Sequence, residues 1–360
     1  MQNPYSALST LLLLLMLSGL LRAQDPHFMQ WQQSIQLANP ALTGVIPGQL
    51  RAAVAYQELY ASVLGPDAYR SAAAGLELRR PAGNGNFFGL GVQLQRDEAG
   101  AAEYTRAQGL LGLSYQQQLS GGGRRGRGPA HYLAGGAQLG FGQRGIDLNK
   151  VWFSEQYFVD DLTREAYVDR AAPSGEPIGG TGRSFYTDVN AGLAWFASFG
   201  ERSGAYAGGA VYHLNRPNLS AIQGAEDQLA MRQSIVLGGE LPLGQGYASL
   251  LPAARAYVQG PSFTAQGGVS YRYTQRAWRE VALRLGTYAN LATAAPDGGA
   301  YLEAVTLLLG LETDGLQLGL SYDLTFGAID VITRGRGGFE LTATWTQAAN
   351  YRQRVICPKF

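Results

Sequence analysis

Residues 315–325 read GLQLGLSYDLT and residues 339–346 read FELTATWT. In the first, Leu316, Leu318, Leu320, Tyr322 and Leu324 alternate with Gln317, Gly319, Ser321, Asp323 and Thr325. In the second, Phe339, Leu341, Ala343 and Trp345 alternate with Glu340, Thr342, Thr344 and Thr346. A period of two is a strand with one apolar and one polar face. Each run is about ten residues, the length at which a tilted strand crosses a bilayer. The apolar rows end in aromatics, which favour a membrane interface. The two runs read as the last staves of a transmembrane β-barrel.

Working outward, fourteen strand-like runs follow one another: 50–57, 69–80, 86–97, 104–119, 131–143, 184–197, 204–213, 231–241, 247–258, 262–274, 279–290, 301–313, 315–325 and 337–347. The runs within 231–258 are the weakest, because Pro242 and Pro252 interrupt them. An even count puts both termini on one side of the membrane, the periplasmic side for an outer-membrane barrel. The connections alternate accordingly. Short ones such as 313–315 are expected in the periplasm, and long ones at 144–183, 214–230 and 326–336 are expected outside. The expected fold is an all-β outer-membrane barrel of about fourteen antiparallel strands; a secreted β-sandwich array is the competitor. The expected divisions are a signal peptide at 1–23, an irregular N-terminal plug or lid at 24–49, the barrel at 50–347 and a periplasmic tail at 348–360.

Composition agrees. Gly is abundant at 49 residues, Tyr at 20, and charged residues are only 15% of the 360. That suits a wall facing lipid on one side and polar side chains on the other. The net charge of +1 gives no reason to expect a nucleic-acid partner. The apolar run Leu8–Leu21 fits a signal-peptide core with Ala23 as the cleavage residue. The fit is imperfect, since no Lys or Arg precedes the run and Arg22 sits beside the cut.

Few residues invite chemistry. The single Cys357 excludes an internal disulfide framework, and His27, His131 and His213 lack metal-ligand spacing. The stretch 121–128, GGGRRGRG, lacks the Lys-Ser/Thr of a phosphate loop and reads as a basic periplasmic turn. Glu155, Asp160, Asp161, Glu165 and Asp169 could bind Ca²⁺, but their spacing also suits a solvated helical face. No serine sits in a nucleophile elbow, so His131 and His213 read as hydrogen-bonded wall or loop histidines. No cofactor, metal or enzymatic activity is expected. Charges on the polar faces, among them Glu77, Arg106, Glu240, Arg255, Arg272, Glu280, Arg284, Glu303, Asp323 and Glu340, either line a pore or pair off to fill a closed lumen.

An ordered set of short motifs carries a resemblance. It runs from Gln24-Asp25-Pro26-His27-Phe28 with Gln30 and Asn39-Pro40-Ala41-Leu42-Thr43-Gly44, through Arg96-Asp97-Glu98-Ala99-Gly100 and Gly140-Phe141-Gly142-Gln143-Arg144 with Ile146-Asp147-Leu148, to Asp188-Val189-Asn190-Ala191-Gly192 and His213-Leu214-Asn215-Arg216-Pro217-Asn218. It ends with Tyr322-Asp323, Gly338-Phe339-Glu340 and Cys357-Pro358-Lys359-Phe360. In this set the chain resembles the PorP/SprF family of outer-membrane proteins, associated with type IX secretion and gliding in Bacteroidetes. The resemblance implies a non-enzymatic barrel. Its partners would be the C-terminal domain of a secreted surface adhesin, periplasmic secretion components or lipoproteins, and outer-membrane lipid. Some members resemble adhesin exporters or anchors and others core machinery, and these motifs do not choose between them. A transporter or porin for small solutes is the alternative.

On that reading the partner-binding candidates outside are Tyr157, Asp160, Asp161, Arg216, Asn218 and Arg334. Those in the periplasm are Arg124, Arg125, Arg127 and Cys357. Cys357 reads either as a small buried residue or as a contact or intermolecular disulfide with a periplasmic partner. Asn39 and Pro40 are expected to fix the N-terminal segment. Asp323 and Glu340 are expected to face the lumen opposite Arg partners.

Overall fold

A computed structural model of the chain describes residues 25, 27–121, 129–176, 182–200, 202–220, 225–244, 247–274, 281–293, 299–313, 315–327 and 330–347. The strands are β1 (Leu50–Leu59), β2 (Tyr69–Gly83), β3 (Asn86–Ala99), β4 (Tyr104–Gly121), β5 (Ala130–Gly145), β6 (Tyr157–Val159), β7 (Ala166–Val168), β8 (Arg183–Gly200), β9 (Ser203–Tyr212), β10 (Arg232–Leu243), β11 (Ala248–Gln259), β12 (Ser262–Thr274), β13 (Ala282–Thr293), β14 (Ala300–Glu312), β15 (Leu316–Thr325) and β16 (Arg336–Gln347). All but β6 and β7 pair antiparallel in one closed ring of fourteen. Closure comes from β1, where Ala52 faces Leu76 on one side and Trp345 on the other. The ring leaves no free edge in the membrane, where unpaired backbone groups are costly.

The two-residue period becomes two faces of the wall. On β3, Gln93 is 2% exposed and its neighbour Leu94 is 60% exposed. Leu76, Leu111, Leu193, Ile235, Leu285 and Leu309 are also exposed on the outer face. A band of exposed leucine this continuous is stable against lipid, not water. The longest connections, 146–182, 213–231 and 326–335, leave one end of the barrel, which also carries the two-residue β11–β12 turn.

Two local expectations are corrected. Pro242 and Pro252 lie within β10 and β11 and do not end them. The β10–β11 ladder runs from Arg232↔Gln259 to Gly238↔Ala253 and resumes at Leu241↔Leu250. The gap falls opposite Pro252, which has no N–H to give; the strand continues because its other side pairs Pro252 with Val269 on β12. The acidic stretch within 144–183 is no helical face. It forms the β6–β7 hairpin, in which Tyr157 pairs with Val168 and Val159 with Ala166. Asp160 closes the turn by accepting the N–H groups of Leu162 and Thr163, both at 2.8 Å. A short carboxylate side chain competes well for such turn donors.

The described residues before β1 fill the lumen. They carry only single turns of helix, Trp31–Ser34, Ile35–Ala38 and Pro40–Leu42. Trp31, Leu42 and Val45 are buried among inward-facing Phe87, Tyr132, Phe196, Val236, Tyr288 and Leu308. Tyr132 and Phe196 stack at 4.8 Å between ring centroids. The interior is thus a mixed core, apolar at its centre and polar around it.

Candidate functional site

A segment with so little regular structure must find partners elsewhere for its backbone N–H and C=O groups. The inward face of the wall provides them. Ser114 Oγ donates to the Thr43 carbonyl at 2.6 Å, and Gln138 Nε2 donates to that of Gln36 at 3.1 Å. The Tyr212 hydroxyl donates to the Leu37 carbonyl at 2.8 Å, Arg79 Nη1 to Ile46 at 2.9 Å and Arg255 Nη2 to Phe28 at 2.7 Å. The Gly44 N–H donates to Glu77 Oε2 at 2.8 Å, and Arg51 pairs with that carboxylate.

These contacts give the segment a direction. Gly44 and Ile46 meet Glu77 and Arg79 toward the short-turn end of β2. Asp25 meets Arg106 near the start of β4, Arg232 at the start of β10, Gln259 at the end of β11 and His213 just past β9, all at the long-loop end. From Asp25 to β1 the chain therefore runs the length of the lumen.

At the long-loop end lies a buried charge network. The Asp25 carboxylate receives Arg106, Arg232 Nη1 at 3.1 Å and His213 Nε2 at 2.6 Å. His213 Nδ1 lies 2.8 Å from Asp188, which also accepts from Gln108 Nε2 at 2.9 Å. Burial works to raise the Asp25 pKa, but Arg106, His213 and Arg232 together hold it well below the usual carboxylate range. Burial works to lower that of His213, and the charge of Asp25 with the hydrogen bonds to Asp188 and Asp25 raises it on balance. The His213 ring thus bridges two carboxylates and ties Asp25 to the wall.

Asn39 and Pro40 act as the sequence suggests. Asn39 Oδ1 caps the Pro40–Leu42 turn through the Ala41 N–H at 2.9 Å, and its Nδ2 donates to the carbonyls of Leu193 at 3.0 Å and Gly209 at 3.1 Å. Glu340 and Asp323 face inward, but without the expected Arg partners. Glu340 accepts the backbone N–H groups of Met29 and Gln30, and Asp323 accepts the Thr306 hydroxyl. The N-terminal segment occupies the space in front of Glu340, so its amides take the place of a guanidinium.

The outer candidates sit on structured loops. Tyr157 is exposed on the hairpin and stacks on Trp152 at 5.8 Å; Phe158 stacks on Tyr167 at 5.8 Å. Asp161 is exposed at the hairpin turn beside Asp160. Arg216 is exposed with a left-handed backbone, φ +44°, and its N–H donates to the His213 carbonyl at 3.0 Å. Asn218 organises its loop, accepting from the Ser220 N–H at 3.0 Å and the Asp227 N–H at 2.9 Å. That loop is drawn over the mouth, with Leu219 and Leu229 buried on Tyr186 and Asp227 paired with Arg144. Lys150 pairs with Glu103, joining the hairpin's loop to the β3–β4 turn. Arg334, φ +53°, lies apart on the β15–β16 connection, next to exposed Val331 and Ile332. Arg124, Arg125, Arg127, Cys357, Glu280, the signal-peptide stretch and the tail at 348–360 lie outside the described residues. Among the described residues no group of three His, Cys, Asp or Glu side chains is placed to hold a metal.

Sequence reading missed Asp25, Asp188 and Gln30 as tethering residues. Asp25, Gln30 and Asp188 stand out in the sequence only as motif members, and the inward glutamines Gln93, Gln116, Gln138 and Gln266 are the signal that something polar fills the lumen.

Comparison with solved structures finds other barrels at low similarity. A deletion mutant of the TodX monoaromatic hydrocarbon channel matches at TM-score 0.48 with 12% identity, over 87% of this chain and 93% of that one. The Ralstonia pickettii toluene transporter TbuX matches at 0.43 with 8% identity, over 87% and 92%. CdiB from Acinetobacter baumannii matches at 0.37 with 9% identity, over 82% and 60%. Comparison with curated proteins finds no match. The family comparison is decisive: the model of the type IX secretion system membrane protein PorP/SprF matches residues 20–345, nearly the whole barrel and its lumen segment, and the chain belongs to that family.

Proposed function

We propose that this protein is a non-enzymatic binding scaffold of the type IX secretion and gliding system. In this reading its outer loops bind the C-terminal domain of a secreted surface adhesin, for export or for anchoring at the surface. Its short-turn end contacts periplasmic components. The observation that carries the reading is the contrast between the two parts of the molecule. The lumen is filled by the chain's own N-terminal segment, hydrogen-bonded around the wall. The loops above it expose apolar and aromatic side chains where no lipid covers them: Trp152, Tyr157, Phe158, Leu162 at 95% and Tyr167. Such a patch above the membrane suits a protein partner, and stacked rings make good anchors. Long loops on a rigid barrel are where conditional binding belongs.

The test is purification of the tagged protein from outer membranes in mild detergent, with mass spectrometry of what accompanies it. A large secreted protein with a C-terminal sorting domain is expected. It should be lost from a Trp152→Ser, Tyr157→Ser, Phe158→Ser variant whose barrel still shows its heat-dependent gel mobility. Undiminished recovery with that variant removes the site from this loop. A clean monomer with discrete conductance steps in planar bilayers would replace the reading with a small-solute channel.

A further inference from the structure

Below the mouth, next to the Asp25 network, lies a small cavity of about 60 Å³. Arg106, Arg232, Arg255, Tyr257, Asp188 and His213 contribute to its lining. Three guanidinium groups thus face two carboxylates, Asp25 and Asp188, and the two sets are unequally matched. Arg106 and Arg232 share Asp25. Among the described residues Arg255 forms no ion pair, with Glu340 and Asp323 the acidic groups nearest in effect; it donates to the Phe28 carbonyl and lies 5.9 Å from the rings of both Trp31 and Tyr257. Among the described residues, Arg232 Nε and Arg255 Nε make no hydrogen bond, and the hydroxyl of Tyr257, a residue only 7% exposed, has Thr264 alone beside it. His27 adds no positive charge, because burial, then Arg255 and Arg232, push it down to about 3.

Buried guanidinium donors left over, with room for about two water volumes, are the chemistry of an anion site. We propose that this cavity binds one small monovalent anion, of the size of chloride or a formate carboxylate, held by Arg232 Nε, Arg255 Nε and the Tyr257 hydroxyl. The bound anion neutralises Arg255 and so fastens the Phe28–Trp31 stretch to β11. It is independent of any adhesin partner. A neutral lining would make the cavity a mere packing fault; the unpartnered guanidinium donors among its lining residues distinguish it from one.

The test uses the full-length barrel in detergent, with the midpoint of its heat-dependent gel mobility measured in chloride, formate and gluconate at constant ionic strength. The midpoint should rise saturably with chloride and formate and not with gluconate, which exceeds the cavity. Arg255→Met should abolish the rise. Should that variant fail to fold, Tyr257→Phe removes a single donor and should weaken half-saturation about tenfold. Crystals soaked in bromide should show an anomalous peak between the three donors. Equal responses to chloride and gluconate, unchanged half-saturation in Tyr257→Phe, or bromide found only on surface arginines would each overturn the site.

Discussion

Glu340 on the last strand accepts the backbone N–H of Gln30 at 2.9 Å, across 310 residues of sequence. The same carboxylate accepts the N–H of Met29, and Gln30 Nε2 returns a bond to the Glu340 carbonyl at 3.3 Å. Gln30 also reaches Ser321 and Thr342 on the two final strands. The family motif Gly338-Phe339-Glu340 is thus a clasp for the start of the lumen segment.

Glu340→Ala leaves two buried amides without an acceptor, a cost of about 1–3 kcal/mol for each. Glu340→Gln keeps the shape and one acceptor oxygen. The expected order of stability is wild type, then Gln, then Ala. The check is the temperature of the gel-mobility shift, together with cleavage of residues 27–46 by added protease. An unshifted Ala variant would mean that the clasp does not hold the segment.

Asn39 is fully buried and makes three hydrogen bonds, one to its own turn and two to the carbonyls of β8 and β9. Asn39→Ala should destabilise the folded barrel by about 2–4 kcal/mol, from the lost cap and the orphaned carbonyls. Asn39→Asp keeps the cap but offers no donor to those carbonyls, and should be nearly as costly. Thermal shift of the two variants side by side checks both halves of the argument.

A close approach of chain to wall allows a sharper perturbation. A Cβ at Gly136 would lie 2.5 Å from the Pro40 carbonyl oxygen and 2.7 Å from the Ala41 Cα. Both are backbone atoms of a buried turn and have little room to retreat. Gly136→Val should push the Pro40–Leu42 turn off the wall at a cost of about 1–3 kcal/mol or more. Planar-bilayer recordings should then show conductance steps that the wild type lacks. Silent recordings with an unchanged thermal shift would refute this close packing.

Much of the barrel was legible because its signal is local. Leu90, Val92 and Leu94 against Gly91, Gln93 and Gln95 declare both a strand and its two faces within six residues. Pairing order follows from chain order in a meander, so fourteen local readings sum to a closed ring. The lumen was illegible for the opposite reason. What faces Glu340 or Asp25 depends on the path of a segment with no periodicity, and its contacts lie hundreds of residues away. Glu340 on a polar face predicts a partner, and only the path of residues 27–46 makes that partner an amide. The β6–β7 hairpin escaped because each strand is three residues long, too short for a period to register.

The Asp25–His213–Asp188 chain makes the outer clasp sensitive to pH, with a sign that follows from the two shifts. The pKa of His213 is raised, so its contribution to stability is complete below the unfolded value near 6.5 and is lost as pH rises through the folded value. That of Asp25 is lowered, so its contribution is complete above the unfolded value near 3.8 and is lost as pH falls through the folded one. Between these limits both hold, and the alkaline side is the accessible one. Arg106 and Arg232 continue to hold Asp25 there, so loosening is partial. A cysteine placed at Phe28 should therefore become more reactive to a membrane-impermeant maleimide as pH rises past the imidazole's titration, after correction for the thiol's own ionisation. In His213→Gln, whose amide cannot titrate, that step should vanish and the reactivity should be high throughout. A step of the same size in both proteins would show that His213 does not hold the segment.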